Sequence, residues 1–225
     1  MKNLLQKRLE LFKKVDIYPV ITSSFCLNRS PVYVLEQLLA AGAKIIQLRE
    51  KDPLPSDRDL FKLAKIFRKK TSNFGALLII DDRLDVALLS GADGIHLGQN
   101  DLPCAEVRKF APDLLIGVST HSPSEIISAQ KSGASYINIG PVFSTKTKSG
   151  DIKPVGIENL KKWLPLVKME FSVMGGIKEE NILTLYNIGC RKFAMVTELT
   201  QSTNIRKKYQ RLKELLITAK GNKND

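Results

Sequence analysis

Eight short β-branched or apolar runs alternate with eight amphipathic segments along 225 residues. That count predicts a single-domain (β/α)8 TIM barrel, here preceded by a short N-terminal helix. Two further observations point the same way. Glycines recur just past the helical segments, and polar residues collect where the apolar runs end, which is where barrels of this kind carry their chemistry. An open doubly wound sheet is the alternative, and it usually needs fewer strands.

The elements follow in order. Residues 1–14, MKNLLQKRLELFKK, are broken by charge too often for a signal peptide and read as an amphipathic helix. The strands are expected at Ile17 to Thr22, Ile45 to Arg49, Leu77 to Asp81, Gly94 to Leu97, Leu115 to Ser119, Tyr136 to Gly140, Phe171 to Met174 and Lys192 to Val196. The helices are expected at Pro31 to Ala41, Ser56 to Lys70, Leu84 to Leu89, Ala105 to Phe110, Ser122 to Ser132, Ile157 to Leu164, Glu180 to Ile188 and Ile205 to Ala219. Gly42, Gly91, Gly133 and Gly189 stop helices where a left-handed backbone is cheap only for glycine. The polar end, residues 220–225, reads as a flexible tail. One barrel domain therefore spans residues 1–225.

Composition narrows the function. The chain carries 35 basic against 23 acidic residues, a formal charge of +12. Such a surplus suits nucleic acid, an acidic membrane surface or small anionic substrates. The basic residues are spread through the helices without interleaved aromatics, which argues against nucleic acid. No apolar run approaches transmembrane length, so no membrane is expected. Cys26, Cys104 and Cys190 are scattered and odd in number, which fits buried free thiols in a reducing cytoplasm. A homo-oligomer is compatible with the sequence.

The strand ends are rich in ligand chemistry. Gly140 to Lys148, GPVFSTKTK, offers a glycine for close backbone approach, the hydroxyls of Ser144, Thr145 and Thr147, and the ammonium groups of Lys146 and Lys148. That density of donors and charge suits a phosphate or diphosphate, or else a solvated lysine-bearing loop. Lys146 to Lys153, with Ser149-Gly150, reads as a candidate lid. After the second strand, alternation sends Gln47, Arg49 and Lys51 to one side and Leu48 and Glu50 to the other. An Arg and a Lys so placed would clamp a diphosphate. Asp82 and Asp101, at neighbouring strand ends, would share one Mg2+ or cap the helices that follow. His96 lies within a strand and His121 at a strand end beside Ser119; neither has a partner at zinc-ligand spacing. Gly175-Gly176-Ile177 after the seventh strand and Val196-Thr197 after the eighth match the usual barrel phosphate site.

Taken together, QLREK (Gln47 to Lys51), the acidic pair Asp81-Asp82, DGIHLGQNDLP (Asp93 to Pro103), GVSTH (Gly117 to His121), GPVFSTKTK and the GGI at Gly175 resemble the thiamine phosphate synthase family and its relative, thiazole tautomerase. The resemblance runs from about Tyr18 to the last helix. It implies a magnesium-dependent transferase joining hydroxymethylpyrimidine diphosphate to thiazole phosphate, or its carboxylated form, with release of pyrophosphate. It implies that Gln47, Arg49, Lys51 and Lys148 hold the diphosphate, that Asp82 and Asp101 hold Mg2+, and that Ser119 lies beside the pyrimidine. It further implies that Thr145 and Thr147 touch the thiazole phosphate or the departing pyrophosphate, and that Gly176, Val196 and Thr197 cradle the thiazole phosphate. The chain departs from the family at three positions. Asp81 stands where Asn is usual, and its charge repels a diphosphate unless it ligates the metal or pairs with Arg49 or Arg83. Thr197 replaces Ser. Glu198 puts a negative charge in the first turn beneath the thiazole phosphate. Two alternatives share the scaffold: a tautomerase using a base near His121, and a non-catalytic phosphate-binding regulator.

Overall fold

The computed structural model describes residues 3–51, 55–145, 147 and 153–221. Eight parallel strands close into a barrel in chain order: β1 (Ile17–Ile21), β2 (Ile45–Leu48), β3 (Leu77–Asp81), β4 (Gly94–Leu97), β5 (Leu115–Thr120), β6 (Tyr136–Ile139), β7 (Phe171–Met174) and β8 (Phe193–Met195). The ring is completed by β1 pairing with β8, Ile17 opposite Phe193. The helices are α1 (Leu4–Lys13), α2 (Pro31–Ala40), α3 (Asp57–Asn73), α4 (Leu84–Ser90), α5 (Cys104–Phe110), α6 (Pro123–Lys131), α7 (Gly156–Trp163), α8 (Ile182–Asn187), α9 (Thr197–Thr200) and α10 (Ile205–Gly221).

Local chemistry explains the starts and stops. Asn3, Ser30, Ser56 and Ser122 each accept an amide hydrogen bond at a helix N-terminus, and Pro31 and Pro123 follow two of those caps. The four anticipated stop glycines all have positive φ, from 74° at Gly91 to 105° at Gly189. The last helix runs through Lys220 and Gly221, two residues into the segment expected to be a flexible tail. Residues 222–225 lie outside the described residues.

Alternation along each strand divides the core in two. Ile46, Leu48, Leu78, Ile80, Ile137 and Ile139 point outward and pack with the helices. Tyr18, Ile45, Leu77, Ile79, Leu115 and Tyr136 point inward. Burial on both faces is why the strands read as apolar runs rather than as polar–apolar alternation. Phe12 from α1 completes the inner layer, its ring 4.3 Å from that of Tyr136 and 6.4 Å from that of Tyr18. The N-terminal helix is thus a stopper for one end of the barrel. Cys26, Cys104 and Cys190 are free, as anticipated, though Cys104 is only half-buried. Among the described residues no helix is long and apolar enough to cross a membrane.

Candidate active site

Side chains from the C-terminal strand ends line a cavity in the barrel mouth. Eight of the anticipated site residues face it: Gln47, Arg49, Lys51, Asp81, Asp82, Ser119, Thr147 and Val196. The β2 end behaves as alternation requires. Gln47 and Arg49 point in, while Glu50 turns away to accept from the Ser23 amide at 3.0 Å and its hydroxyl at 2.8 Å.

The cations of β2 lie against the carboxylates of β3. Arg49 Nε is 3.4 Å from Asp81 Oδ2, and Lys51 Nζ is 2.6 Å from Asp82 Oδ2 and 3.9 Å from Asp81 Oδ2. Asp82 has a left-handed backbone, φ 59°, and its amide donates to the His96 carbonyl at 2.8 Å. Aspartate tolerates that conformation better than most residues, and here it redirects the carboxylate toward Lys51 and Asp101. Asp101 accepts from the Gly98 amide at 2.6 Å and stands within hydrogen-bonding reach of Asp82. Neither aspartate caps a helix. Arg83 and Pro103 occupy the cap positions of α4 and α5, without a side-chain cap bond.

Electrostatics follow from this crowding. Burial, then the charge of Asp82, pushes the Asp81 carboxyl up to about 7. Burial, then the hydrogen bond with Asp101, pushes Asp82 up to about 6. Burial would raise Asp101 too, but the bonds from Asp82 and the Gly98 amide hold it below the usual carboxylate range. Burial would lower Lys51, yet its contact with Asp82 and the charges of Asp81 and Asp101 keep it raised. Asp82 and Asp101, close enough to share a proton, offer hard oxygens of the kind that would take one or two positions on an Mg2+, the others going to water and phosphate oxygens. Among the described residues no set of three or more His, Cys, Asp or Glu side chains is arranged to enclose a metal by itself.

The barrel floor carries a hydrogen-bond chain. Gln47 Nε2 donates to Tyr18 Oη at 3.0 Å, the Tyr18 and Tyr136 hydroxyls are 2.8 Å apart, Tyr136 Oη is 3.4 Å from His96 Nδ1, and His96 Nε2 is 2.9 Å from Ser119 Oγ. Burial raises both phenols far above their ordinary values, so they stay protonated. Gln47 therefore lies a layer beneath Arg49.

On the far side of the mouth, Gly175 and Gly176 have φ of 94° and 61°. A Cβ on Gly176 would lie 2.6 Å from the Ser144 carbonyl oxygen and 2.7 Å from Phe143 Cβ, so the β6 and β7 loops can nest only around glycine. Thr145 and Thr147 hydroxyls are 3.0 Å apart, and the Thr147 amide donates to Thr145 Oγ1 at 3.3 Å. Thr197 opens α9, directly after the cavity-lining Val196. Lys148, Lys146 and most of the candidate lid lie outside the described residues.

One expectation about charge is corrected, and one choice between two bases is resolved. Glu198 does not oppose an anion at the mouth: it turns outward, 3.1 Å from Lys208 Nζ, and accepts from the Glu179 amide at 3.2 Å. Asp81 takes Arg49 as its cationic partner and not Arg83, which forks onto Asp57 and Asp85.

Known proteins of this shape and sequence identify the scaffold. The profile described as thiamine monophosphate synthase matches residues 17–199. The chain belongs to the thiamine monophosphate synthase family. It is 40% identical over 204 residues to a thiamine-phosphate synthase of Pelotomaculum thermopropionicum, covering 90% of this chain and 93% of that relative. It is 37% identical over 212 residues to the thiamine-phosphate synthase of Caldicellulosiruptor saccharolyticus, covering 94% and 95%. A solved thiamine phosphate pyrophosphorylase from Pyrococcus furiosus superposes with a TM-score of 0.84 at 30% identity, covering 95% of this chain and 98% of that one.

Within this family scaffold, the cavity also includes residues that sequence reasoning left out or set aside. Val20, Gly98 and Met174 line it, and so does His96. Inward-pointing apolar residues at strand ends carry no signal that separates a ligand wall from core. His96 did carry one, since an inward histidine in an apolar barrel needs polar partners. His121 is absent from the described lining; its Nδ1 bonds the Gly140 carbonyl and its amide donates to Glu125 at 2.6 Å.

Proposed function

We propose that the chain is a thiamine-phosphate synthase, coupling hydroxymethylpyrimidine diphosphate with thiazole phosphate to give thiamine phosphate and pyrophosphate. One observation supports this above the others: Arg49 and Lys51 from β2, Asp81 and Asp82 from β3, and Asp101 after β4 meet at one mouth. Separate βα turns supplying cations and hard oxygens at one point suit a doubly phosphorylated leaving group.

In this reading the bond between the pyrimidine methylene carbon and the diphosphate oxygen breaks first. Its electron pair leaves on pyrophosphate, and Arg49 and Lys51 neutralise the growing charge, with Lys148 assigned the same role from sequence alone. Asp82 and Asp101 would hold Mg2+, which supplies further charge neutralisation on the phosphate oxygens. Ser119 orients the pyrimidine end, Gln47 joins Arg49 and Lys51 on the diphosphate, and the walls of Val20, Met174 and Val196 keep water from the methylene cation. Thr145, Thr147, Gly176 and Thr197 hold the thiazole phosphate so that its ring nitrogen closes the new C–N bond. No protein nucleophile is required.

A magnesium-dependent coupling assay tests the reading: thiamine phosphate and pyrophosphate are expected in equal amounts. Asp101→Ala is expected to abolish magnesium-dependent turnover while the circular dichroism spectrum stays unchanged. Isomerisation of a thiazole without coupling would replace synthase by tautomerase, and full activity in the variant would remove the metal assignment.

A further inference from the structure

The polar groups at the barrel floor divide into two sets. Gln47, Tyr18, Tyr136, His96 and Ser119, on β2, β1, β6, β4 and β5, bond one another in an unbroken chain. The next inward polar positions do not. Asn138 on β6 is the register partner of both Ser119 on β5 and Ser172 on β7, so the three lie side by side at one level of the barrel. Asn138 is 2% exposed and Ser172 is fully buried. Asn138 Oδ1 and Ser172 Oγ nevertheless have no hydrogen-bond partner.

Buried polar atoms are rarely left so, because an unpaired one gives up its bonds to water with nothing in return. Two on adjacent strands at one register point to something that satisfies them when the site is filled. Their neighbours say where it sits. Ser119 lines the mouth cavity at the same level, and Met174, two residues beyond Ser172 on the same face of β7, lines it too. The unpaired pair thus borders the floor of the cavity, two residues beyond Tyr136 on β6 and beside the Ser119 end of the hydrogen-bond chain.

We propose that Asn138, supported by Ser172, is a specificity-determining residue that reads the amino-pyrimidine edge of the diphosphate substrate. This inference rests on the synthase reading of the site. A carboxamide offers one acceptor and one donor side by side. An amino-pyrimidine offers the complement: an exocyclic N–H donor next to a ring-nitrogen acceptor. Asn and Gln use this two-point match on adenine, which presents the same kind of edge. Asn138 Oδ1 accepts from the exocyclic amine, Nδ2 donates to the ring nitrogen, and the Ser172 hydroxyl supplies the second bond to Oδ1. Ser119, beside Asn138 on the neighbouring strand, adds a further polar contact to the ring before its methylene carbon reacts.

The test uses Asn138→Ala and Ser172→Ala in the full chain. The probes are the amino-pyrimidine diphosphate and its analogue lacking the exocyclic amine. In the wild type, KM for the amino substrate is expected to be at least about tenfold below that of the deamino analogue. Asn138→Ala is expected to erase that discrimination, raise KM for the amino substrate about tenfold, and leave KM for thiazole phosphate unchanged. The ligand-free variant is expected to melt at or above the wild-type temperature, because an unpaired carbonyl has been removed. Retained discrimination overturns the proposal, and so does a lower melting temperature with unchanged KM. The latter outcome would mark Asn138 as the holder of an internal water. If the wild type couples nothing, the synthase reading falls, and calorimetric binding of the two diphosphates still decides the role of Asn138.

Discussion

Asp81 is one carboxylate in contact with two cations, yet its buried Oδ2 lacks a hydrogen bond. At 3.4 and 3.9 Å the contacts to Arg49 and Lys51 are attractions through space rather than directed bonds. Their effect is to draw both side chains toward β3. A diphosphate must compete with Asp81 for them. Asp81→Asn, which keeps the shape and removes the charge, is expected to tighten diphosphate binding by roughly three- to tenfold, in line with one weakened ion pair. Calorimetry with pyrophosphate measures it, and weaker binding in the variant would mean that Asp81 is itself a ligand. The conflict at this position was legible in the residues, because an extra acid beside QLREK is visible without coordinates. Its resolution was not. Which base answers Asp81 depends on how β2 and β3 are staggered, and that stagger chose Arg49 over Arg83. Asn138 shows the opposite failing: inside Tyr-Ile-Asn-Ile it looks like a neutral interruption of a buried run.

Helix α9 has only four residues, too few to hold its shape alone. It is held from behind. Arg29 donates to the carbonyls of Thr200, Ser202 (2.8 Å) and Cys26 (3.1 Å), and Thr200 Oγ1 donates to the Phe25 carbonyl at 2.8 Å. A guanidinium at the C-terminal end of a helix also complements its dipole. The loop after β1 is thereby fastened to the turn that carries Val196 and Thr197. Arg29→Ala is expected to raise KM for thiazole phosphate about tenfold with little change for the pyrimidine diphosphate, since charged hydrogen bonds of this kind contribute about 1.5–3 kcal/mol. Steady-state kinetics with each substrate varied in turn separates the two; an equal rise in both would mean general loosening. Sequence patterning could not supply this link, because Arg29 and the carbonyls of Thr200 and Ser202 are more than 170 positions apart. What patterning did supply was the existence of the β8–α9 turn and the place of Glu198 within it, though not the Lys208 that draws that acid outward.

Across the molecule, chemistry and stability occupy opposite ends. The mouth gathers charge, while the other end is shut by Phe12 stacked on Tyr136 and edge-on to Tyr18. Phe12 is fully buried, although it comes from a helix outside the ring. Phe12→Ala is expected to lower unfolding free energy by about 3–5 kcal/mol, read by urea denaturation, with Michaelis constants near those of the wild type. A large rise in those constants would show that the floor transmits strain to the mouth. The strand count and the stop glycines made the barrel readable in advance, because both repeat at each βα unit. The use of α1 as a stopper was not readable, since its amphipathic pattern says that one face is covered and not by what.

Closure of the ring has a consequence for how the protein is made. The seam joins Ile17 to Phe193, so the first strand waits for the last. A growing polypeptide halted before residue 193 leaves both rims of the sheet open, with unpaired amides and carbonyls on display. Native closure therefore waits until β8 has been made, and until then the partial sheet keeps two open rims that invite misassembly.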